Sequence, residues 1–116
     1  MQFLALIYEN EAERATWSEE MNAANMKAYF DYTNAVKESG EFVAGDALMP
    51  TNTATSVRIR NGELVTTDGP FAETKEQLGG YYLLECENLD QAIESASCIP
   101  AAKNGTVEVR PIMVFD

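Results

Sequence analysis

Near the start of the chain stand Phe3-Leu4-Ala5-Leu6-Ile7-Tyr8, which are apolar at nearly every position. A strand with one face in water alternates apolar and polar residues, whereas a strand buried on both faces does not. This run therefore predicts a central strand of a sheet that is covered on both sides. A second run of the same kind, Tyr81 to Leu84, predicts another inner strand.

The segments around these strands predict two helices and a hairpin. Thr16-Trp17-Ser18-Glu19 matches a capping box and predicts the start of a long helix, for which Gly40 is a suitable end. Asn88-Leu89-Asp90-Gln91 predicts the cap of a shorter helix. Asn61-Gly62 predicts the two-residue turn of a hairpin, because both residues accept positive φ angles.

Helical spacing predicts which side of each helix is buried. For the long helix this side consists of Met21, Ala24, Ala28, Tyr32, Ala35 and Val36. For the short helix it consists of Leu89, Ile93, Ala96 and Ile99. The polar residues 10–15 are expected to form a surface connection, and two further strands are expected in Glu41 to Leu48 and in the segment with Val107, Val109 and Met113.

The predicted order is strand, long helix, strand, hairpin, strand, helix, strand. This is the order of an α+β fold, a ferredoxin-like split βαβ unit with an inserted β-hairpin, in which residues 1–116 form a single domain. Two helices cover only one face of an antiparallel sheet, yet the inner strands offer apolar side chains to both faces. Because exposed apolar area costs about 25 cal/mol per Å², we expect a homodimer joined sheet to sheet as a dimeric α+β barrel.

Composition excludes several classes of function. With 19 Asp and Glu against 8 Lys and Arg, the net charge of −11 repels phosphate backbones and anionic lipids, so neither a nucleic-acid nor a membrane partner is expected. The chain has no histidine, which excludes Ser-His-Asp and Cys-His catalysis and His-ligated metals.

Cysteine usage and the N-terminal residues predict a cytoplasmic protein. The two cysteines, Cys86 and Cys98, form neither a zinc motif nor a disulfide framework and are expected to be free buried thiols. The N-terminal residues lack a basic leader, and their apolar run is too short for a membrane span. Gly79-Gly80 precedes a strand and not a helix, so no nucleotide site is expected, and neither a cofactor nor a metal site is predicted.

The segment Asp68-Gly69-Pro70-Phe71 and its continuation to Tyr82 resemble the signature of the DGPF-domain proteins, a branch of the YCII-related family. The resemblance covers nearly the whole chain and includes Gly45 to Pro50, Thr55 to Arg60 and Glu108 to Pro111. It implies a dimeric α+β barrel of ferredoxin-like units. It implies no settled biochemical role, although some members are genetically associated with extracytoplasmic-function sigma factors.

The better-studied YCII-like branch is suspected of enzymatic chemistry that uses a histidine on the first helix and an aspartate before a proline after the second. By distance from Gly40 and Pro100, these positions fall near Tyr29 and on Ile99 in this chain. Neither residue matches. The acid–base chemistry of that branch is therefore not carried over, and no catalytic residue is assigned.

Charged residues and tyrosines around the signature are the candidate ligand-binding residues. In the functional interpretation, the Asp68-Gly69-Pro70 turn places three carboxylates and an amine at the mouth of the barrel, from Asp68, Glu73, Lys75 and Glu76. In the structural interpretation, Asp68 accepts backbone amides in a tight turn and the others form a solvated loop. Three further candidates are Arg58, Tyr8 and Tyr81. The Arg58 guanidinium could bind an anion, or it could keep an edge strand soluble. The two phenols could orient a polar ligand, or they could pack in the core.

Two functions are compatible with the sequence. The first is a homodimeric small-molecule binding protein with a pocket between sheet and helices lined by the signature, extending to cofactor-independent lyase or isomerase activity. The second is a non-catalytic regulatory or accessory protein whose acidic surface docks a partner. The position of the charged signature residues separates them, because a concave pocket with tyrosines and an arginine favours the first and a convex exterior favours the second.

Overall fold

The computed structural model describes residues 1–115. Two 3₁₀ turns, at Thr51–Thr53 and Pro100–Lys103, accompany the regular elements. In chain order these elements are β1 (Gln2–Glu9), α1 (Glu11–Arg14), α2 (Glu19–Glu38), β2 (Phe42–Ala47), β3 (Thr55–Arg60), β4 (Glu63–Asp68), β5 (Gln77–Glu85), α3 (Leu89–Ala96) and β6 (Thr106–Pro111).

An antiparallel four-stranded sheet with the order β2-β5-β1-β6 forms the centre of the fold, so the α+β class is confirmed. As predicted, β1 and β5 are its inner strands, with Ala5 opposite Tyr82. The last strand ends at Pro111, and Met113, expected within it, lies beyond it and is exposed. In the described chain the sheet is open and does not close into a barrel.

The two faces of the sheet have different surroundings. Phe3, Ala5 and Ile7 are buried in one core cluster with residues of α2 and α3. Alternate residues of β1, among them Leu4 and Leu6, point to the other face and are only half-buried. Helices α2 and α3 therefore cover the same face, and the opposite face is open in the single chain.

The long helix begins two residues later than predicted. Ser18, not Thr16, is its N-cap, and the Ser18 hydroxyl accepts a hydrogen bond of 3.1 Å from the backbone amide of Met21. Thr16 instead donates its hydroxyl hydrogen to the carbonyl of Glu13, at 2.6 Å. The reason is that residues 11–14 of the expected surface connection form α1, with Ala15 as its C-cap, and Thr16 bonds to this helix and not to the start of α2.

The predicted buried sides of the helices are confirmed in part, since Tyr32, Val36, Ala96 and Ile99 are buried as predicted. On α2 the fully buried residues are Tyr32 and Val36, whereas Met21 is 51% exposed. The aromatic side of α2 faces the sheet, where the Tyr32 and Tyr82 rings meet edge to face at 5.0 Å. On α3 the small side chain of Ala92 is buried and Ile93 is 51% exposed.

The predicted hairpin is present, and we call strands β3 and β4 the arm. Its turn has positive φ at Asn61 (53°) and Gly62 (78°). The arm forms its own two-stranded sheet, and its residues are exposed apart from half-buried Ser56. The radius of gyration, 16.2 Å, exceeds the about 13 Å expected for a compact domain of this length, consistent with an arm that extends from the body.

Candidate functional site

A cleft of about 680 Å³ lies between α2 and the helix-covered face of the sheet, at the β2 edge. Its floor is formed by residues with little or no side chain, Gly45 and Ala47 of β2 and Gly80 of β5. A Cβ at Gly45 would come within 2.7 Å of the Tyr82 ring, and one at Gly80 within 2.9 Å of the Asp46 carbonyl oxygen. The cleft therefore exists because the paired backbones leave no room for side chains there.

A buried polar cluster lies at one end of this cleft. Glu9 follows Phe3, Ala5 and Ile7 at alternate positions, so it faces the helices, and only 9% of it is exposed. Arg14 of α1 donates from Nη1 to Glu9 Oε2 at 2.9 Å, and the Tyr29 hydroxyl donates to Glu9 Oε1 at 3.2 Å. The carboxylate thus has the two partners that burial of a charge requires.

Arg14 and Tyr29 are themselves held by their surroundings. The Arg14 guanidinium stacks over the Trp17 ring at 4.6 Å from its centre. Its Nε is buried and has no hydrogen-bond partner among residues 1–115. Burial raises the pKa of Tyr29, and the Glu9 charge and hydrogen bond raise it further. The Tyr29 phenol therefore keeps its proton at neutral pH and acts as a hydrogen-bond donor.

The other end of the cleft carries hydroxyls and an amine. Tyr29, Thr33 and Lys37 are four residues apart on α2 and so lie along one side of the helix. Thr33 shares a hydrogen bond of 2.7 Å with the Tyr82 hydroxyl. The Lys37 ammonium lies 5.1 Å from the centre of the Phe42 ring. The lining also includes apolar residues, among them Ile7 and Met26, and two amides, from Asn22 and Asn25.

Comparison with known proteins identifies the family. Residues 1–116 match the YCII-related domain over the whole chain. The chain belongs to the YCII-related family. It is 36% identical over 117 residues to an uncharacterized protein of Rhizobium meliloti (strain 1021), an alignment that covers 99% of this chain and 94% of the relative.

In this YCII-related chain the charged signature residues lie outside the cleft. Asp68, Glu73 and Lys75 are exposed. Glu76 is half-buried and accepts a hydrogen bond of 2.8 Å from the Thr106 hydroxyl. Arg58 is exposed on the arm. The structure does not bring these residues together around the cleft, and their role in ligand binding stays a prediction.

The two candidate tyrosines lie on the open face of the sheet. Tyr8 is half-buried there, two residues after Leu6 and so on the same face of the strand. Tyr81 borders the cleft, but its position next to inward-facing Tyr82 turns its side chain to the open face. Its phenol donates to Asp46 Oδ2 at 2.7 Å, and this hydrogen bond raises the pKa of Tyr81. The signature therefore contributes Gly79, Gly80 and Tyr82 to the cleft, not its charged residues.

Sequence reasoning missed Glu9, Arg14 and Tyr29 as a group. Glu9 is detectable, because alternation along β1 places it on the same face as Ile7. Tyr29 is detectable from Val36, since residues seven apart share a helix face. Nothing in the sequence indicates that Arg14 contacts Glu9 at the end of β1, because Arg14 lies in a segment that was expected to be solvated.

Two kinds of feature are absent from residues 1–115 of this YCII-related chain. No group of three or more His, Cys, Asp or Glu side chains is placed to hold a metal ion within that range. No helix there combines the length and the apolar character needed to cross a membrane.

The free thiols differ in exposure, since Cys86 is buried as predicted, whereas Cys98, also expected to be buried, is exposed.

Proposed function

We propose that this YCII-related protein is a homodimer that binds a small organic molecule in the cleft beneath α2. The observation that carries the proposal is the buried Glu9–Arg14–Tyr29 cluster at the end of a cleft of about 680 Å³. Ligand pockets are mostly apolar cavities of about 300–1,000 Å³ with a few convergent polar groups. This cleft has both properties.

The homodimer follows from surfaces that the single chain leaves in water. The strand order β2-β5-β1-β6 supports a ferredoxin-like unit with β3 and β4 inserted. Its open face carries Leu4, Leu6 and Leu83. The arm exposes Val57, Ile59, Leu64 and Val65, although an isolated two-stranded hairpin is only marginally stable in water. A second copy, joined sheet to sheet as a dimeric α+β barrel, would cover both surfaces.

Cofactor-independent lyase or isomerase chemistry is the catalytic form of this proposal. In it, the Glu9 carboxylate takes a proton from a carbon next to a carbonyl group of the ligand. Tyr29, which keeps its proton, exchanges its hydrogen bond to Glu9 for one to the carbonyl oxygen on which negative charge develops. The proton then returns to a different atom of the ligand, which gives an isomer.

A regulatory or accessory protein is the second candidate. The exposed positions of Asp68, Glu73 and Lys75 outside the cleft favour it, since an exterior charged segment is suited to docking a partner. In this candidate the acidic surface, with a net charge of −11 for the chain, binds a basic protein and no reaction is catalysed.

A thermal-shift screen of small metabolites on two variants tests the proposal. Ala47→Leu fills the floor of the cleft, whereas Asp68→Asn changes only the signature turn. A ligand at a hundred times its dissociation constant stabilises the fold by about 2.7 kcal/mol. We expect stabilisation of the wild type and of Asp68→Asn but not of Ala47→Leu. Loss on Asp68→Asn with retention on Ala47→Leu would place the ligand at the signature, and a flat screen would favour the accessory protein.

Sedimentation tests the dimer separately. We expect the wild type to sediment as a dimer at micromolar concentration. A folded monomer at high micromolar concentration would contradict the dimeric barrel.

A further inference from the structure

Four charged side chains belong to residues that line the cleft, but two of them neutralise each other and a third lies on the opposite face of the sheet. Glu9 and Arg14 form an ion pair of 2.9 Å. Asp46 accepts the hydrogen bond of Tyr81 on the opposite face of the sheet. Lys37 has no ion-pair partner among residues 1–115. The side chains therefore leave one positive charge in the cleft.

The surroundings of Lys37 leave its charge available to a ligand. The chain contains 19 acidic residues, yet none of those described forms an ion pair with Lys37. Lys37 is exposed, and its ammonium lies 5.1 Å from the centre of the Phe42 ring, at the border of the cleft. An anionic ligand group in the cleft would supply the missing partner.

The opposite end of the cleft sets a second requirement. The Glu9–Arg14 pair has no net charge, and Glu9 would repel a second ligand carboxylate there. Neutral hydrogen-bonding groups fit that end, because such a group can accept the Tyr29 proton in place of Glu9 or donate to the Glu9 carboxylate. Lys37 is eight residues from Tyr29 on α2, which separates the two ends by about 12 Å along the helix.

We propose that the cleft selects monocarboxylates that carry a neutral hydroxyl or carbonyl group at their far end. This inference rests on the proposed function, since it assigns the ligand class of the same cleft. The carboxylate binds Lys37, and the neutral group reaches Glu9 and Tyr29. A phosphate monoester is less suited, because Lys37 compensates one of its two negative charges and Glu9 would repel the other.

Calorimetric titration with a matched ligand series tests the proposal. The probes are ω-hydroxy alkanoates of increasing chain length, their primary amides, the corresponding dicarboxylates and the phosphate monoesters of the same alcohols. We expect the hydroxy monocarboxylates to bind up to about fivefold more tightly than the amides, because an ion pair with an exposed lysine is weakened by solvent. Dicarboxylates and phosphate monoesters should bind more weakly than the monocarboxylates.

Three lysine variants on α2 test whether Lys37 supplies the charge. Lys37→Met keeps most of the aliphatic stem and removes the ammonium, and we expect it to lose the preference for carboxylates while its affinity for amides is retained. Lys27→Met, which removes an exposed lysine outside the cleft, should bind like the wild type. Lys37→Arg should restore the preference. Thermal melts of each variant confirm that it is folded.

The outcomes separate the two proposals. If amides and carboxylates bind the wild type equally, or if Lys37→Met keeps the preference, the anion site is refuted and the cleft remains a ligand site. Tighter binding of phosphate monoesters would also refute the monocarboxylate class. If no probe of any charge binds, both this inference and the small-molecule function are overturned.

Discussion

Replacing Glu9 with Gln should destabilise the protein clearly, although the substitution keeps the size and shape of the side chain. Gln cannot form the ion pair with Arg14, so the guanidinium loses its carboxylate while Nε already lacks a partner among residues 1–115. Tyr29 loses a charged acceptor and keeps only a neutral one. The substitution therefore tests the polar cluster at the end of the cleft.

The exposure of the two side chains sets the magnitude. Breaking a fully buried ion pair costs about 3–5 kcal/mol, whereas an exposed pair contributes less than about 1 kcal/mol. The Glu9 side chain is 12% exposed and that of Arg14 is 38% exposed, so this pair lies between the two cases. We expect a loss of about 2 kcal/mol in the free energy of unfolding. With an unfolding entropy of about 0.24 kcal/mol/K for a chain of this length, Tm should fall by about 8 °C.

Urea unfolding followed by circular dichroism measures this loss, and an exposed ion pair provides the control. Lys27 and Asp31 are joined at 2.8 Å, but their side chains are 77% and 64% exposed. Asp31→Asn should therefore leave the unfolding midpoint nearly unchanged. For Glu9→Gln we expect a lower midpoint at constant m-value, because the extent of burial on folding stays the same.

Equal effects of the two substitutions would refute the reasoning. If Glu9→Gln were no more destabilising than Asp31→Asn, the Glu9 carboxylate would be solvated in the folded protein. The buried polar cluster, and with it the main support for a ligand site in the cleft, would then be lost.

Three further substitutions test the core, the open face and the buried phenols. Phe3→Ala should cost about 3–5 kcal/mol in urea unfolding, because Phe3 is 1% exposed. Leu6→Asp places a charge on the open face and should convert the homodimer to a monomer in sedimentation. Burial raises the pKa of Tyr32 to about 12 from 10.0, so its stabilising contribution is complete below pH 10 and is lost as pH rises to 12. The wild type should lose up to about 3 kcal/mol over that range through this residue, and Tyr32→Phe should lack this part of the pH dependence.

Local sequence features predicted much of the fold. The apolar run of β1, the Asn61-Gly62 turn and the Asn88 cap all lie where the structure has them, since each depends on neighbouring residues only. The buried sides of the helices were predicted in part. Tyr32, which packs against Tyr82, is buried as predicted, whereas Met21 and Ile93 are exposed, because helical spacing does not show where along a helix the contact with the sheet ends.

The cleft could not be predicted, because it depends on pairing between distant segments. Gly45 and Tyr82 are neighbours only through the register of β2 and β5. Arg14 reaches Glu9 only because the polar segment after β1 folds into a short helix. The charged residues of the signature were predicted to bind a ligand, whereas the signature contributes to the cleft mainly through the two glycines of β5.

The glycine floor also determines how specificity can change among proteins with this fold. Gly45 and Gly80 resist substitution, because a methyl group at either position would collide with Tyr82 or with the backbone of β2. Ala47 lies on the same floor and is exposed to the cleft. Under the proposed function, a larger side chain at this position would shorten the accepted ligand while the core stays intact, so sequence divergence there should follow divergence in ligand choice.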